Sequence, residues 1–205
     1  IRQVKKGVIP ESRLDDAVRN ILNVKSRLGL LNNRIPHEFE ENYLGHPTHI
    51  ALARQAVRES LVLLKNNNAL LPLDPSKHIV VFGDAANKIS SQTGGWTITW
   101  QGRENSNNDF VNVSSIYQAL TDVVNSSGGT IEFSKDGQFY KKPDVAIGVF
   151  GEEPYAEMLG DIADVSFAAT DPSFLSLLQN ISAQGIPTVS ILLSGRPLVV
   201  NEHIN

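Results

Sequence analysis

Four carboxylates fall within the ten residues from Glu152 to Asp161, in the run Gly151-Glu152-Glu153-Pro154-Tyr155-Ala156-Glu157-Met158-Leu159-Gly160-Asp161. A carboxyl crowded by like charges keeps its proton to higher pH and can serve as a general acid. Glu152, Glu153 and Asp161 would do this to Glu157. The same run also reads as a solvated acidic surface. It reads as well as oxygen ligands for a hard cation, although its spacing matches no calcium loop. A second run, Gly94-Gly95-Trp96-Thr97-Ile98-Thr99-Trp100-Gln101-Gly102, holds both tryptophans of the chain between glycines. An indole offers an apolar face to the C–H side of a sugar ring and an N–H to a hydroxyl. Glycines let backbone and ligand approach closely. The bland alternative is that one or both indoles plug a hydrophobic gap.

Other residues carry weaker signals. His37, His46, His49, His78 and His203 are scattered, with no pair at metal-ligand spacing on a helix face, so structural or solvent roles are expected. Gly83-Asp84-Ala85-Ala86-Asn87 lacks the glycine spacing of a dinucleotide fingerprint and reads as a strand-to-loop turn. Arg196, in Ser194-Gly195-Arg196-Pro197, is expected to orient a loop carboxylate or simply to pair on the surface. Asn112, Asn125 and Asn180 each begin a glycosylation triplet, a pattern that is common by chance.

These runs are placed by the elements around them. Leu14, Ala17, Val18, Ile21, Val24 and Leu28 recur at helical spacing, with Pro10 where a helix would begin and Gly29 where it would end. Residues 30–47 show no period and read as a linker. A second helix is expected over Ile50 to Leu64, with Ala53, Ala56, Val57, Leu61 and Leu64 as its buried stripe. The chain then alternates. Apolar runs at 79–82, 130–133, 145–150 and 188–193 read as strands. Helices are expected over 113–124, with Ile116, Leu120, Val123 and Val124 inward, and after Asp171-Pro172, with Asp171 as N-cap. Alternating strands and helices predict an α/β fold, a mostly parallel sheet with helices on both faces. Ligands in such sheets bind in loops beyond the carboxyl ends of strands. Those loops are 83–102, 151–161 and 194–197.

Composition narrows the function. The chain has 205 residues, 18 basic and 22 acidic side chains, and no cysteine. The last excludes a disulfide scaffold, a thiolate zinc site and a cysteine nucleophile. Mild acidity without basic runs argues against a nucleic-acid partner. No apolar stretch is long enough to span a membrane as a helix. The chain opens without Met and stops after Leu198-Val199-Val200, so it is expected to be a fragment of something longer.

Taken in order, the motifs resemble family 3 glycoside hydrolases, in their β-glucosidase and exo-1,3/1,4-β-glucanase branch. Arg13-Leu14-Asp15-Asp16-Ala17-Val18 through Gly29-Leu30 looks like the last helix of that family's (β/α)8 barrel domain. Glu59-Ser60-Leu61-Val62-Leu63-Leu64-Lys65-Asn66 and Leu71-Pro72-Leu73 look like the entry to its second, α/β-sandwich domain. The runs 94–102 and 151–161 look like its tryptophan loop and its acid/base loop. The resemblance implies a barrel-terminal helix over 1–30, a linker over 31–47 and a truncated second domain over 48–205. It implies Glu157 as the general acid/base, with Glu153 and Glu152 as second choices. It implies Trp100 as the clamp on glucose, and Trp96 and Glu153 as further substrate contacts.

Family members hydrolyse β-glucosides with retention, using an aspartate from the barrel as nucleophile and no cofactor or metal. The partners implied are a β-glucoside or β-glucan substrate and the barrel domain. A periplasmic or secreted compartment follows from the resemblance alone. Asp15 and Asp16 sit on the exposed side of a terminal helix and do not suit the nucleophile, so this chain alone is expected to be inactive. The competing reading is a flavodoxin-like module that binds a ligand without chemistry.

Overall fold

The computed structural model describes residues 1–32, 45–167 and 171–204. They fall into two compact units, Ile1–Val62 and Leu63–Asn205.

In the first unit, α1 (Arg2–Lys5) precedes α2 (Glu11–Arg27). Pro10 is the N-cap of α2, where its missing N–H costs nothing. The helix closes on Gly29, whose positive φ lets Gly29 N–H reach Ser26 O and Leu30 N–H reach Lys25 O. The apolar stripe of α2 is present, and Leu14, Val18, Ile21, Val24 and Leu28 are exposed.

The next helix, α3 (Pro47–Ser60), starts and stops earlier than the expected Ile50–Leu64. Pro47 occupies its first turn, and His46 caps it by accepting from Thr48 N–H at 3.3 Å. At the other end the Ser60 hydroxyl donates to Val57 O at 2.9 Å, and Leu61 turns extended. The stripe expected to be buried there is exposed at Ala53, Ala56, Val57, Leu61 and Leu64. The linker expected over 31–47 lies mostly outside the described residues, and His37 with it.

The second unit is built on β1 (His78–Phe82), β2 (Thr130–Ser134), β3 (Val145–Gly151) and β4 (Thr188–Leu193). Among the described residues these form one wholly parallel sheet in the order β2-β1-β3-β4. Strand neighbours alternate between two cores, as period-2 side chains must. Val80, Phe82, Ala146 and Phe150 point to one face, where Phe174 and Ile181 of α5 (Ser173–Ser182) cover them. Ile79, Val81, Ile147 and Val149 point to the other, under Ile116, Leu120 and Val124 of α4 (Ile116–Ser126). A sheet covered on both faces explains why its central strands read as unbroken apolar runs. A short helix, α6 (Asn201–Ile204), ends the described residues.

Details differ from the sequence expectations. Val123 is exposed rather than inward. The N-cap of α4 is Ser115, which accepts from Gln118 N–H at 3.1 Å, so the helix starts later than 113. Pro172, not Asp171, is the N-cap of α5, while the Asp171 carboxylate accepts from the Ser173 hydroxyl at 2.7 Å.

Phe150 is the keystone of the first core. It meets Phe82 and Phe174 edge-on, with ring centroids 5.6 and 4.9 Å away. Replacing it with Ala leaves a cavity between two rings that cannot collapse. Urea denaturation of Phe150→Ala is expected to show a stability loss of about 3–5 kcal/mol with an unchanged slope.

Candidate active site

Strands β1 and β3 are neighbours and parallel, so the loops that follow them leave the sheet side by side. After β1 the chain makes two 3-10 turns, Asp84–Asn87 and Ile89–Gln92, and then enters the tryptophan run. Ala85 and Ala86 are buried in the second core, so 83–87 is the strand-to-loop turn the sequence suggested. After β3 the chain runs through Glu152-Glu153-Pro154-Tyr155 into tight turns over 156–161.

The two loops are joined along their length. Lys88 forms an ion pair with Glu153. Arg103 Nε donates to Pro154 O at 3.2 Å. The side-chain amide of Gln101 accepts from Ala156 N–H at 2.8 Å and donates to Glu157 O at 3.0 Å. Gly95 fits against the Tyr155 carbonyl, where any Cβ would collide with it. Gly102, at φ +79°, packs on Gly94 O, which a Cβ would approach to 2.6 Å.

The join brings the predicted site residues together. Trp100 Nε1 donates to Glu157 Oε2 at 2.8 Å. The rings of Trp96 and Trp100 lie 6.2 Å apart, tilted by 40°, with 69% and 45% of their surfaces exposed. Neither indole plugs a core. Trp96, Ile98 and Met158 hold φ of 61°, 61° and 77°, a region that costs non-glycine residues free energy, and the branched Ile98 most of all.

The expected rise in the pKa of Glu157 is not found. Its carboxyl is held below the ordinary glutamate range, first by the Trp100 indole N–H, then by its own backbone N–H and by Trp96; desolvation opposes them. The crowding invoked from sequence is relieved by partners. Glu152 is only 8% exposed, pairs with Arg196 Nε at 3.1 Å and accepts from the Ser194 hydroxyl. Glu153 has Lys88. Glu152 is thus an internal anchor, and Glu157 is the exposed carboxylate beside the indoles.

Arg196 takes the first of the two roles considered for it, and its pairing with Glu152 is largely buried rather than on the surface. Besides pairing with Glu152, it donates from Nη1 to Gly160 O at 2.7 Å and stacks 3.8 Å over the Tyr155 ring. It therefore ties the third loop, after β4, to both ends of the acidic loop. Sequence reasoning missed Gln101, Arg103 and Lys88. No periodic or motif signal marks a loop amide or cation whose partner is remote in the chain, as Glu157, Pro154 and Glu153 are from these three.

The other residues considered from sequence have separate places. His46 caps α3, His78 bonds Thr130 at the amino end of the sheet, and His203 lies edge-on to Phe174. Asn112, Asn125 and Asn180 are exposed. Among the described residues no three His, Asp or Glu side chains gather as metal ligands.

In open parallel α/β sheets the loops beyond the strands' carboxyl ends are where ligand sites form, and the indoles and the carboxylate lie in such loops here. The chain is a member of glycosyl hydrolase family 3. The model of that family's C-terminal domain matches residues 61–205. The chain is 34% identical to a lysosomal beta glucosidase of Dictyostelium discoideum, over 96% of this chain and 26% of that protein. It is 27% identical to a periplasmic beta-glucosidase of Salmonella typhimurium, over 96% of this chain and 30% of that one. Among solved structures, the exo-1,3/1,4-beta-glucanase ExoP from a Pseudoalteromonas species is 48% identical with a TM-score of 0.87, covering 98% of this chain and 26% of that one. A beta-glucosidase from Listeria innocua in complex with glucose is 25% identical with a TM-score of 0.68, covering 98% of this chain and 27% of that one. This chain therefore spans about a quarter to a third of the length of these relatives.

Both tryptophans of the chain are at this site, so intrinsic tryptophan fluorescence reports on it alone. Because the folded-state pKa of Glu157 is depressed, the contact it makes with Trp100 is fully present above the unfolded-state value. It is lost as pH falls through the folded-state value. Acid titration of tryptophan emission is expected to show a transition with its midpoint below the ordinary glutamate pKa. Glu157→Gln is expected to abolish that transition.

Proposed function

We propose that this chain is the second domain of a retaining β-glucosidase or exo-β-glucanase. Glu157 is its general acid/base, and Trp100 with Trp96 forms the aromatic wall of its glucose site. The observation that carries the reading is the 2.8 Å bond between the Trp100 indole and the Glu157 carboxylate. It puts an apolar ring face and an ionisable group within the span of one pyranose, both exposed to an incoming ligand. Glu153, exposed on the same loop, is a secondary contact for an outer hydroxyl.

Retaining hydrolysis takes two carboxyls about 5 to 5.5 Å apart. In the proposed enzyme the nucleophile is an aspartate of the barrel domain implied by the family resemblance. It attacks the anomeric carbon while Glu157 passes its proton to the leaving oxygen. Glu157, now a carboxylate, then takes a proton from the water that releases the sugar. The nucleophile's negative charge raises the pKa of Glu157, opposing the indole bonds that lower it in this domain. Two carboxyls and water suffice, without a cofactor.

A second reading has support in the depressed pKa of Glu157. A carboxylate that stays ionised accepts sugar hydroxyls well and donates a proton poorly. On that reading the domain binds sugar and does no acid chemistry.

Leaving-group chemistry separates the two. In the full-length protein, Glu157→Gln is expected to lower kcat/KM for phenyl β-glucoside by about 10²- to 10⁴-fold, and to spare 2,4-dinitrophenyl β-glucoside, whose leaving group needs no proton. Equal losses on both substrates would favour the binding reading. Trp100→Ala is expected to act mainly on KM. The chain alone, lacking the barrel's nucleophile, is expected to give no turnover of either glucoside.

A further inference from the structure

Gln101 sits between the tryptophan that touches Glu157 and the glycine that turns the loop, and it is only 7% exposed. Both halves of its amide are used on the acidic loop. Oε1 accepts from Ala156 N–H at 2.8 Å, and Nε2 donates to Glu157 O at 3.0 Å. The two bonds bracket the Cα of Glu157 from a single rigid, planar group. The next hydrogen bond from the tryptophan loop, Arg103 on Pro154 O, lies three residues before Glu157. The backbone beyond Glu157 passes straight into Met158 at φ +77°, an unfavourable conformation that the turn's own bonds, Gly160 N–H to Ala156 O at 2.9 Å and Leu159 N–H to Glu157 O at 3.1 Å, hold together with Gln101.

We infer that Gln101 is a positioning residue for the acid/base carboxyl, fixing the backbone of Glu157 so that its side chain meets the indole and the sugar's leaving oxygen. The inference rests on the reading of Glu157 as acid/base given above. Gln101 touches no reacting atom. Its effect on rate runs entirely through where the carboxyl of Glu157 stands. A misplacement of about 1 Å at a catalytic group can cost up to about a hundredfold in rate.

The test uses the full-length protein and three variants. Gln101→Ala removes both bonds. Gln101→Glu keeps the shape and the acceptor for Ala156 N–H but loses the donor to Glu157 O. Glu157→Gln reports whether the acid/base reading holds. Both Gln101 variants are expected to lower kcat/KM for phenyl β-glucoside by about tenfold to a hundredfold, against less than about threefold for the 2,4-dinitrophenyl substrate. KM for the activated substrate should stay put, because the indole wall is intact. A purely structural role would depress both substrates alike, and that result in both variants, through misfolding or otherwise, overturns the inference. So does an unchanged rate on phenyl β-glucoside. If Glu157→Gln itself shows no leaving-group selectivity, the acid/base reading falls and takes this inference with it. Selectivity in Glu157→Gln without it in the Gln101 variants overturns the inference alone.

Discussion

The hydrogen bond between the Trp100 indole and the Glu157 carboxylate needs two loops, far apart in sequence, to hold one registry to within a few tenths of an ångström. The sheet provides the coarse part. With β1 and β3 adjacent and parallel, both loops must leave from the same edge. The fine part is local and polar. Gln101 grips the backbone on either side of Glu157's Cα, Arg103 holds Pro154, and Arg196 holds the far end at Gly160. Glycines at 95 and 102 allow the close approach that such bonds require. Without that registry the Glu157 carboxylate and the Trp100 indole would not meet.

Charge is sorted in the same small region. Of the four acidic residues in the loop, Glu152 is buried against Arg196 and Ser194, and Glu153 is matched by Lys88. A buried carboxylate is tolerated only when a cation and donors compensate its lost hydration, and Glu152 has both. Glu157 is different in kind. Its partners are neutral N–H groups, which favour the charged form without cancelling its charge. It therefore remains a net negative charge in open view beside two apolar rings. On the proposed reading, a sugar would lay its C–H face on the rings and offer a hydroxyl hydrogen to the carboxylate.

Much of this was legible in the residues. The four strands, the parallel α/β arrangement and the convergence of the two loops follow from apolar runs that end in glycine and from the edge rule for parallel sheets. Other features were hidden for physical reasons. Helix α3 was misplaced because a histidine and a proline set its start, and a serine back-bond its end, all stronger than the apolar period. The direction of the Glu157 shift was reversed because counting carboxylates along the chain ignores their partners. Those partners, Lys88 and Arg196, arrive from the loops after other strands. Gln101 carries no signature, since an amide between a tryptophan and a glycine has no preferred partner until the fold supplies one.

The strained backbone at Trp96, Ile98 and Met158 bears on why the site is assembled this way. Conformations of this kind cost roughly 1–3 kcal/mol each and persist only where surrounding contacts over-determine them. All three lie on the two loops, and none lies in the strands beneath. The sheet's cores reach the site only through Ala85, Ala86, Phe150 and the strand ends, so they cannot supply the compensation directly. Part of it is local, from Trp96 N–H to Trp100 O at 2.8 Å and Asn105 Nδ2 to Thr97 O at 2.8 Å, and part comes from the cross-loop bonds, most of them made by a side chain of one loop to the backbone of the other. Backbone atoms persist through side-chain substitution. Contacts of this type therefore allow the side chains that face a ligand to change while the positions from which they point are preserved. The domain keeps its scaffold in apolar strands and the placing of its exposed carboxylate and indoles in polar loop contacts.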